Sequence, residues 1–206
     1  MARTKHDVVA EFRHKAIVEA ACRVFARSGF EATTVEAIAA EAELAKGTLY
    51  LYFKSKVDIY VAAIQGQLEV LDELTRRRVE VAQDGEEKLR AFMATRLAYL
   101  EDHRDFFKIY QFEFSHMFLH PTRANAAFAE YYRRQVSFLT GIIEDGIRAG
   151  DLQFENAGAG AFLVYDTVRG VATRRLLGLS RLSLEEDTKM AMNFISAGIE
   201  IGRAHV

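Results

Sequence analysis

The chain has 206 residues, half of them hydrophobic, with one proline, one cysteine and a formal net charge of −2. This length and composition suit a small head and a larger helical body, and a single cysteine excludes an intramolecular disulfide. No apolar run reaches the ~18 residues of a membrane span and the N-terminus lacks a signal-peptide core, so we expect a cytoplasmic protein with no membrane partner. The net charge does not indicate a nucleic-acid binder, but residues 1–56 form the basic part, with nine Lys and Arg against seven Asp and Glu.

Apolar residues recur every three or four positions from Ile17 to Ile201, and the alternation typical of strands is missing. The sequence therefore predicts an all-α fold. Its first helix, over Ile17 to Phe30, has one apolar face and ends at Gly29, which suits a left-handed C-cap. Cys22 lies within this helix, and we interpret it as a small core residue.

The segment from Thr33 to Lys56 has the pattern of two short helices joined by a tight turn. Thr33 and Glu36 have the spacing of a capping box, which predicts that the second helix begins at Thr34. Together with the first helix, these segments predict a three-helix head of the helix-turn-helix type over residues 1–56.

The second short helix has the side-chain chemistry of a DNA-reading helix. Small residues let its backbone approach base edges in the major groove, whereas lysines and tyrosines offer groups that reach phosphate oxygens. The small residues are Ala45, Gly47 and Thr48, and the longer ones are Lys46, Tyr50, Tyr52 and Lys56. The basic residues Arg3, Lys5, Arg13 and Lys15 are either a solvated tail or an arm on the phosphate backbone.

Two segments, GFEATTVEAIAAEA and KGTLYLYFKSK, resemble the N-terminal signature of the TetR family of transcriptional regulators. The resemblance covers roughly residues 13 to 60. It implies that Thr34, Tyr52 and Lys56 contact phosphates. It also implies a groove-facing helix made of Ala45, Lys46, Gly47, Thr48 and Tyr50. The rest of the chain would then be a ligand-sensing, dimerising bundle.

Two positions depart from the family pattern, which commonly has Gly where this chain has Glu43 and often Ser where it has Ala45. A glutamate is strained if the turn requires a positive φ, and an alanine supplies no capping hydroxyl. Together these losses amount to about 1–2 kcal/mol. We expect them to alter the turn geometry and the base contacts near Ala45 without abolishing the motif.

After Lys56 the pattern predicts a helical bundle over residues 57–206. A long helix towards Val81 would link head to body and act as a lever for operator spacing. Further helices are predicted over Glu86–His103, Arg104–His120, Asn125–Ala149 and Asn156–Leu176, with a last one from Ser183, which forms a capping box with Glu186. The family resemblance implies a homodimer through Ala159 to Leu177 and Met190 to Ile201, although packing within the chain explains these faces equally well.

The helix over Arg104–His120 carries more aromatic rings than one amphipathic face requires. These rings either form a thick core or line a cavity for a small apolar or aromatic effector, and both can hold. The candidate ligand-binding residues are His103, Phe107, Tyr110, Phe114, Tyr131, Tyr165, Asp166 and Arg169. The polar ones serve either as core hydrogen-bonding groups or as anchors of an organic ligand.

Glu113, His116 and His120 recur at intervals of three and four residues and could ligate a metal from one helical face. The body lacks the paired Glu-x-x-His motifs of a di-iron bundle, and no nucleophile-base spacing or phosphate loop indicates an enzyme. We therefore predict a homodimeric repressor, without catalytic activity or cofactor, that releases a palindromic double-stranded DNA operator when an effector binds. The alternative is a helical metal-binding enzyme or sensor.

Overall fold

A computed structural model describes the backbone of residues 5–116 and 123–200, and the side chains of residues 9–115 and 126–196. Within these ranges it consists of helices and connecting turns, without strands. The helices are α1 (Lys5–Ala32), α2 (Val35–Glu41), α3 (Lys46–Tyr50), α4 (Lys56–Glu80), α5 (Gly85–Asp102), α6 (Arg104–His116), α7 (Arg123–Ala149), α8 (Ala157–Leu176) and α9 (Leu184–Glu200). The predicted all-α fold, with a helix-turn-helix near the N-terminus, is confirmed.

The chain divides into two compact units. The head unit comprises Met1–Glu69 with Asp105–Ala129, and the bundle unit comprises Val70–Arg104 with Glu130–Val206. This division differs from the predicted domains 1–56 and 57–206, because the start of α4 and most of α6 pack into the head unit. The functional boundary at residue 56 itself stays a prediction.

The core of the head unit explains why α4 and α6 belong to it. The ring of Tyr60 on α4 lies 4.7 Å from that of Phe25 on α1, edge to face. The Tyr60 hydroxyl donates a hydrogen bond to the buried carboxylate of Glu113 on α6. Cys22 is buried and its thiol faces the Ala63 carbonyl at 3.6 Å. Burial raises the pKa of this thiol to about 12, which fits its predicted role as a core residue.

The start of α2 corrects the capping prediction. Thr34, not Thr33, is the N-cap, and its hydroxyl oxygen accepts a hydrogen bond from the Ala37 amide at 3.1 Å. The Thr33 hydroxyl is buried and donates instead to the Gly29 carbonyl at 2.6 Å. Gly29 interrupts the helical geometry of α1 with φ 73°, as its predicted C-cap role requires. The predicted capping box at Ser183 and Glu186 is confirmed by reciprocal bonds of 3.2 and 2.7 Å.

In the bundle unit, a buried ion-pair network joins α5, α8 and α9. The fully buried Asp187 carboxylate accepts hydrogen bonds from Arg175 at 2.6 Å and Ser180 at 2.8 Å, and it also pairs with Arg174. Arg175 extends the network to Glu101 on α5 at 3.0 Å. Burial alone would raise the pKa of Asp187, but these hydrogen bonds and charges outweigh it and hold the pKa below its ordinary value.

None of the described helices combines the length and apolar character needed to cross a membrane.

The Asp187 network predicts a specific acid dependence. A depressed carboxyl pKa contributes stability that is present above the unfolded-state pKa and is lost as pH falls through the folded-state pKa. Asp187→Asn should lower the free energy of unfolding at pH 7 by about 3–5 kcal/mol and flatten its decline under acid conditions. Urea unfolding of both proteins from pH 7 to pH 2 measures this. Glu185→Gln, an exposed change in the same helical turn, is the control. Parallel pH curves for wild type and Asp187→Asn would contradict the assignment.

Candidate DNA-binding and effector sites

Helices α2 and α3 pack together as a compact helix-turn-helix. Ile38 and Leu49 are fully buried, and Val35 and Ala39 lie beside them in the core. The Glu41 carboxylate joins α2 to α1 by accepting hydrogen bonds of 2.7 Å from Arg27 and Arg23. Those arginines hold the pKa of Glu41 at about 2. The position of α3 is therefore fixed by apolar burial beneath it and by α2 beside it.

The turn between the two helices has the two features expected from its sequence departures. Glu43 adopts a positive φ of 55°, while the Leu44 amide donates to the Ala39 carbonyl at 2.9 Å. Ala45 is the N-cap of α3 and makes no side-chain hydrogen bond there. The turn thus places a side chain in the left-handed region, where an L-residue with a Cβ is strained.

The exposed face of α3 matches most of the predicted DNA-contacting set. Ala45, Lys46, Gly47 and Tyr50 are exposed, whereas Thr48 and Tyr52 are half-buried. A Cβ at Gly47 would meet no atom within 4 Å, so the backbone there is open to a partner. The predicted phosphate ligand Thr34 is also exposed, and its hydroxyl oxygen caps α2. The roles of these residues on DNA stay predictions.

Lys46 and Tyr50 lie together on the surface of α3. The Lys46 ammonium group pairs with Glu36 on α2 and lies 5.8 Å from the centre of the Tyr50 ring. Both members of the pair are exposed, and such pairs contribute little to stability. A phosphate could replace Glu36 at small cost.

Lys56 has a different environment from the one predicted. Its ammonium group donates to the carbonyls of Phe30 at 2.7 Å, Thr33 at 2.9 Å and Glu31 at 3.2 Å. It also lies 4.4 Å from the centre of the Phe30 ring. An ammonium group has three N–H donors, so these carbonyls use all of them and none is left for a phosphate. We therefore propose that Lys56 caps the C-terminal end of α1 in place of its predicted phosphate contact.

Sequence reasoning missed Leu51, which follows α3 and is 80% exposed. An apolar side chain beside a groove-facing helix can contact a thymine methyl group. The sequence could have indicated Leu51 by its position between Tyr50 and Tyr52 in the signature. A single leucine in a sequence, however, does not show whether its side chain is exposed.

The predicted effector residues are distributed over both units. Phe107 and Tyr110 are buried in the head unit, where the Tyr110 ring packs edge to face on Phe128 at 4.9 Å. Phe114 is half-buried and lies 6.2 Å from the same Phe128 ring. These rings therefore form an aromatic core, which is one of the two predicted uses.

The other five candidates belong to the bundle unit. Tyr131 and Tyr165 are buried. Asp166 is exposed and pairs with Arg169 at 3.2 Å. His103 is exposed at the C-terminal end of α5, with its ring stacked on Tyr99 at 3.9 Å. The exposed side chains of Asp166 and His103 are poor walls for a buried ligand, while Tyr131 and Tyr165 remain candidates.

The bundle unit also has an open cleft of about 930 Å³ between the end of α7, the following loop, α8 and α9. Its apolar walls include Leu152, Phe154, Leu163 and Phe194. None of the predicted effector residues lines it.

The metal alternative gains no support from the described part of the chain. Glu113 is buried and bonded to Tyr60. The side chain of His116 and the whole of His120 lie outside the described residues. Within those residues, no group of three or more metal-ligating side chains is brought together.

Comparison with known proteins assigns the family. Residues 17–63 match the model described as bacterial regulatory proteins, tetR family. Residues 82–173 match the one described as tetracyclin repressor-like, C-terminal domain. The chain belongs to the TetR family of transcriptional regulators. The two matches cover the helix-turn-helix and much of the following bundle, so the TetR-family resemblance predicted from the signature is confirmed.

This TetR-family chain is similar to several regulators. It is 26% identical over 141 residues to the fatty acid metabolism regulator protein of Bacillus subtilis, covering 68% of this chain and 71% of that one. The crystal structure of FadR from Bacillus subtilis in complex with stearoyl-CoA has a TM-score of 0.79 and 22% identity, covering 90% of this chain and 98% of FadR. The structure of AibR in complex with isovaleryl coenzyme A and operator DNA has a TM-score of 0.73 and 20% identity, covering 89% and 98% of the two chains.

The strained turn of this TetR-family head predicts a stabilising substitution. Glu43→Gly should raise the free energy of unfolding by about 1 kcal/mol, because glycine adopts a positive φ without a Cβ clash. Thermal melting measures the change. Glu43→Ala is the matched control, since it removes the same carboxylate but retains the Cβ. Equal stabilisation by both variants would show that the side-chain charge, and not the backbone, causes the effect.

The revised role of Lys56 predicts a loss of stability without a change in phosphate contacts. Lys56→Met should lower the free energy of unfolding by about 2 kcal/mol, since it removes hydrogen bonds from a charged donor. The slope of log binding constant against log salt for DNA should stay that of the wild type.

Lys54→Met, at a neighbouring exposed lysine, is the control for the loss of one positive charge. Binding titrations at several salt concentrations, below the melting temperature of the variant, measure the slope. A decrease in slope of about one unit for Lys56→Met would show that Lys56 does contact a phosphate.

Proposed function

We propose that this TetR-family protein is a ligand-responsive repressor that binds a palindromic operator as a homodimer. A small effector with an apolar body binds the bundle and releases the DNA. In this proposal the protein binds DNA in the cytoplasm and catalyses no reaction.

The observation that carries the DNA-binding part is the accessible face of α3. Leu49 and Ile38 anchor the helix in the core, so its opposite face remains available for the major groove. A Cβ added at Gly47 would have no neighbour within 4 Å, so the backbone there has room to approach base edges closely. Lys46 beside it supplies a cation for phosphate oxygens.

Exposed apolar side chains on α8 and α9 support the homodimer. Phe162 and Leu163 on α8 are 47% and 66% exposed, and Met190 and Phe194 on α9 are 41% and 72% exposed. Of these, Leu163 and Phe194 line the same cleft, and exposed apolar surface of this kind is typical of an interaction site. A two-fold dimer would present two copies of α3 to two half-sites, which is the geometry that a palindromic operator requires.

Two structural neighbours support the effector part. FadR is described in complex with stearoyl-CoA, and AibR with isovaleryl coenzyme A and operator DNA. By analogy, we propose an acyl compound as the effector class for this chain. Tyr131 and Tyr165, both buried in the bundle unit, are the candidates for its apolar contacts.

The proposed reading face predicts a loss of DNA binding without a loss of fold. Gly47→Leu should weaken binding to a selected genomic operator at least about tenfold, because the new side chain occupies the space needed by the groove. Melting temperature should not fall, since a Cβ at Gly47 meets no protein atom. Ala149→Leu, at an exposed position on α7, is the control. Unchanged operator affinity in Gly47→Leu would contradict the assigned face.

The proposed dimer predicts a linked loss of assembly and operator binding. Phe194→Glu should convert the dimer to monomer, because it buries a charge in the proposed interface, and the monomer should bind the full operator more weakly. Light scattering after size exclusion measures the mass. Val81→Glu, at a residue 70% exposed on the segment after α4, is the control. A Phe194→Glu protein that stays dimeric would place the interface elsewhere.

A further inference from the structure

Arg96 is a buried cation at a core position of α5, in the bundle unit. Its side chain is 2% exposed. Its guanidinium carbon lies 5.0, 5.3 and 5.7 Å from the ring centres of Phe92, Tyr165 and Tyr131. Removing a guanidinium group from water is costly unless anions and hydrogen-bond acceptors compensate for it. The hydrogen-bond acceptors and anions around Arg96 therefore indicate which kind of ligand could bind in this part of the bundle unit.

The Asp72 carboxylate pairs with Arg96 only at a long distance. Two hydrogen bonds of the guanidinium group go to neutral acceptors, the Tyr131 hydroxyl at 2.6 Å and the Gln135 side-chain carbonyl at 3.1 Å. The Asp72 carboxylate oxygen Oδ1 lies 3.9 Å from the guanidinium group, beyond hydrogen-bonding distance. This oxygen is buried and accepts no hydrogen bond. Asp72 is thus a counter-ion without the close contact of a strong ion pair.

The side chains around Asp72 carry more positive charge and more hydrogen-bond donors than its one carboxylate pairs with. The charge of Arg96, a hydrogen bond from the Tyr131 hydroxyl and the charges of Arg76 and Arg134 all act on the Asp72 carboxyl group. Burial nevertheless raises the pKa of Asp72, so its carboxylate is poorly stabilised there. The side-chain nitrogen Nε2 of Gln135 is buried and has no hydrogen-bond partner. Gln135 itself is 2% exposed. A buried donor without an acceptor destabilises the protein, and an acceptor oxygen from a ligand would remove that cost.

We propose that Arg96 and Gln135 bind an anionic oxygen group of the effector, a carboxylate or a phosphate, which replaces Asp72 as the counter-ion of Arg96. The inference rests on the proposed function of the chain as a ligand-responsive regulator. A carboxylate or phosphate offers several acceptor oxygens and matches the planar donor geometry of arginine. The aromatic rings of Phe92, Tyr131 and Tyr165 would lie beside the apolar part of the same molecule.

The exchange of counter-ion gives the effector a route to the DNA-binding helix. Asp72 belongs to α4 and Arg96 to α5, so their attraction favours one arrangement of these two helices. An effector anion that displaces Asp72 removes this attraction. A ligand shifts a conformational equilibrium only if its interactions differ between the two states, and this exchange supplies such a difference. Helix α4 begins at Lys56, so the helix that carries Asp72 directly follows the segment that contains α3.

The test compares ligand affinities of two variants for which the inference predicts opposite signs. Arg96→Met should weaken the binding of an anionic ligand about 30-fold or more. Asp72→Asn should tighten it about fivefold or more, because it removes the internal competitor. A purely structural Arg96–Asp72 pair gives no reason for tighter binding in Asp72→Asn. This second variant also keeps the inference testable if Arg96→Met fails to fold.

The control variant is Glu73→Gln, which removes the same charge one residue along α4. Glu73 is exposed and pairs on the surface with Arg77. Glu73→Gln should leave ligand affinity unchanged. An equal effect of Asp72→Asn and Glu73→Gln would overturn the inference, because general electrostatics would then explain both.

The probes are stearate, stearoyl-CoA, CoA and uncharged octadecanol, titrated by calorimetry into the full-length protein. Stearate binding at least about tenfold tighter than octadecanol, with sensitivity to Arg96→Met, would support a carboxylate site. If Arg96→Met weakens the binding of stearoyl-CoA and CoA but not that of stearate, the result would support a phosphate site. Octadecanol bound as tightly as the anionic probes would overturn the inference, as would failure of every anionic probe to bind.

Operator binding without ligand separates this inference from the proposed function. Wild-type protein that binds its selected operator but shows no preference for anionic probes refutes the anion site alone. Wild-type protein that binds no DNA above a random fragment refutes the proposed function, whatever the ligand titrations give.

Discussion

The ammonium group of Lys56 ties the start of α4 to the end of α1 in the DNA-binding head. From the first residue of α4 it donates to three carbonyls at and just after the end of α1. Helices α2 and α3 lie between these two points in the chain, so both ends of the segment that carries the recognition helix are fixed. The burial of Leu49 then sets the orientation of α3 within that frame. A recognition helix of five residues needs such support, since a helix this short has little stability of its own.

The same helix α4 that begins with Lys56 carries Asp72 beside the buried Arg96. One helix therefore contains the residue that fixes the head and the residue that we propose an effector displaces. The Asp187 network is different, because its carboxylate is fully buried with close partners on α8 and in the loop that follows it. A tight ion pair suits a fixed framework, whereas a loose one can be exchanged. The bundle unit thus contains one tight ion-pair network, at Asp187, and one loose pair, between Arg96 and Asp72.

Much of the fold could be predicted because its signals are local. The all-α class and the helix-turn-helix follow from periodicity and a family signature, which also marked Glu43 as the position where a positive φ would cause strain. The N-cap was assigned to Thr33 instead of Thr34 because only Thr33 has a glutamate three residues later, as a capping box requires. In the structure the Thr33 hydroxyl turns back to the Gly29 carbonyl, and Thr34 takes the N-cap position. The hydrogen bonds of Lys56 could not be predicted for a related reason, since its carbonyl partners are distant in sequence.

The candidate effector site was less predictable because it depends on contacts between helices. Composition identified the aromatic residues but could not assign Phe107 and Tyr131 to different compact units. Arg96 was overlooked although it lies four residues from both Phe92 and Leu100, at a position that helical periodicity assigns to the core. A charged residue in such a position is a signal of a buried polar site. Its partners Asp72 and Gln135 come from other helices and could not be read from the pattern.

The most direct measurement is footprinting of the protein on genomic fragments that it selects itself, at a stated salt concentration. The proposed function predicts protection of a palindrome whose half-sites are spaced by about one helical turn of DNA or a multiple of it, as two copies of α3 in a two-fold dimer require. Failure to enrich any fragment above random DNA, or protection of a single site without symmetry, would contradict a dimeric operator-binding regulator.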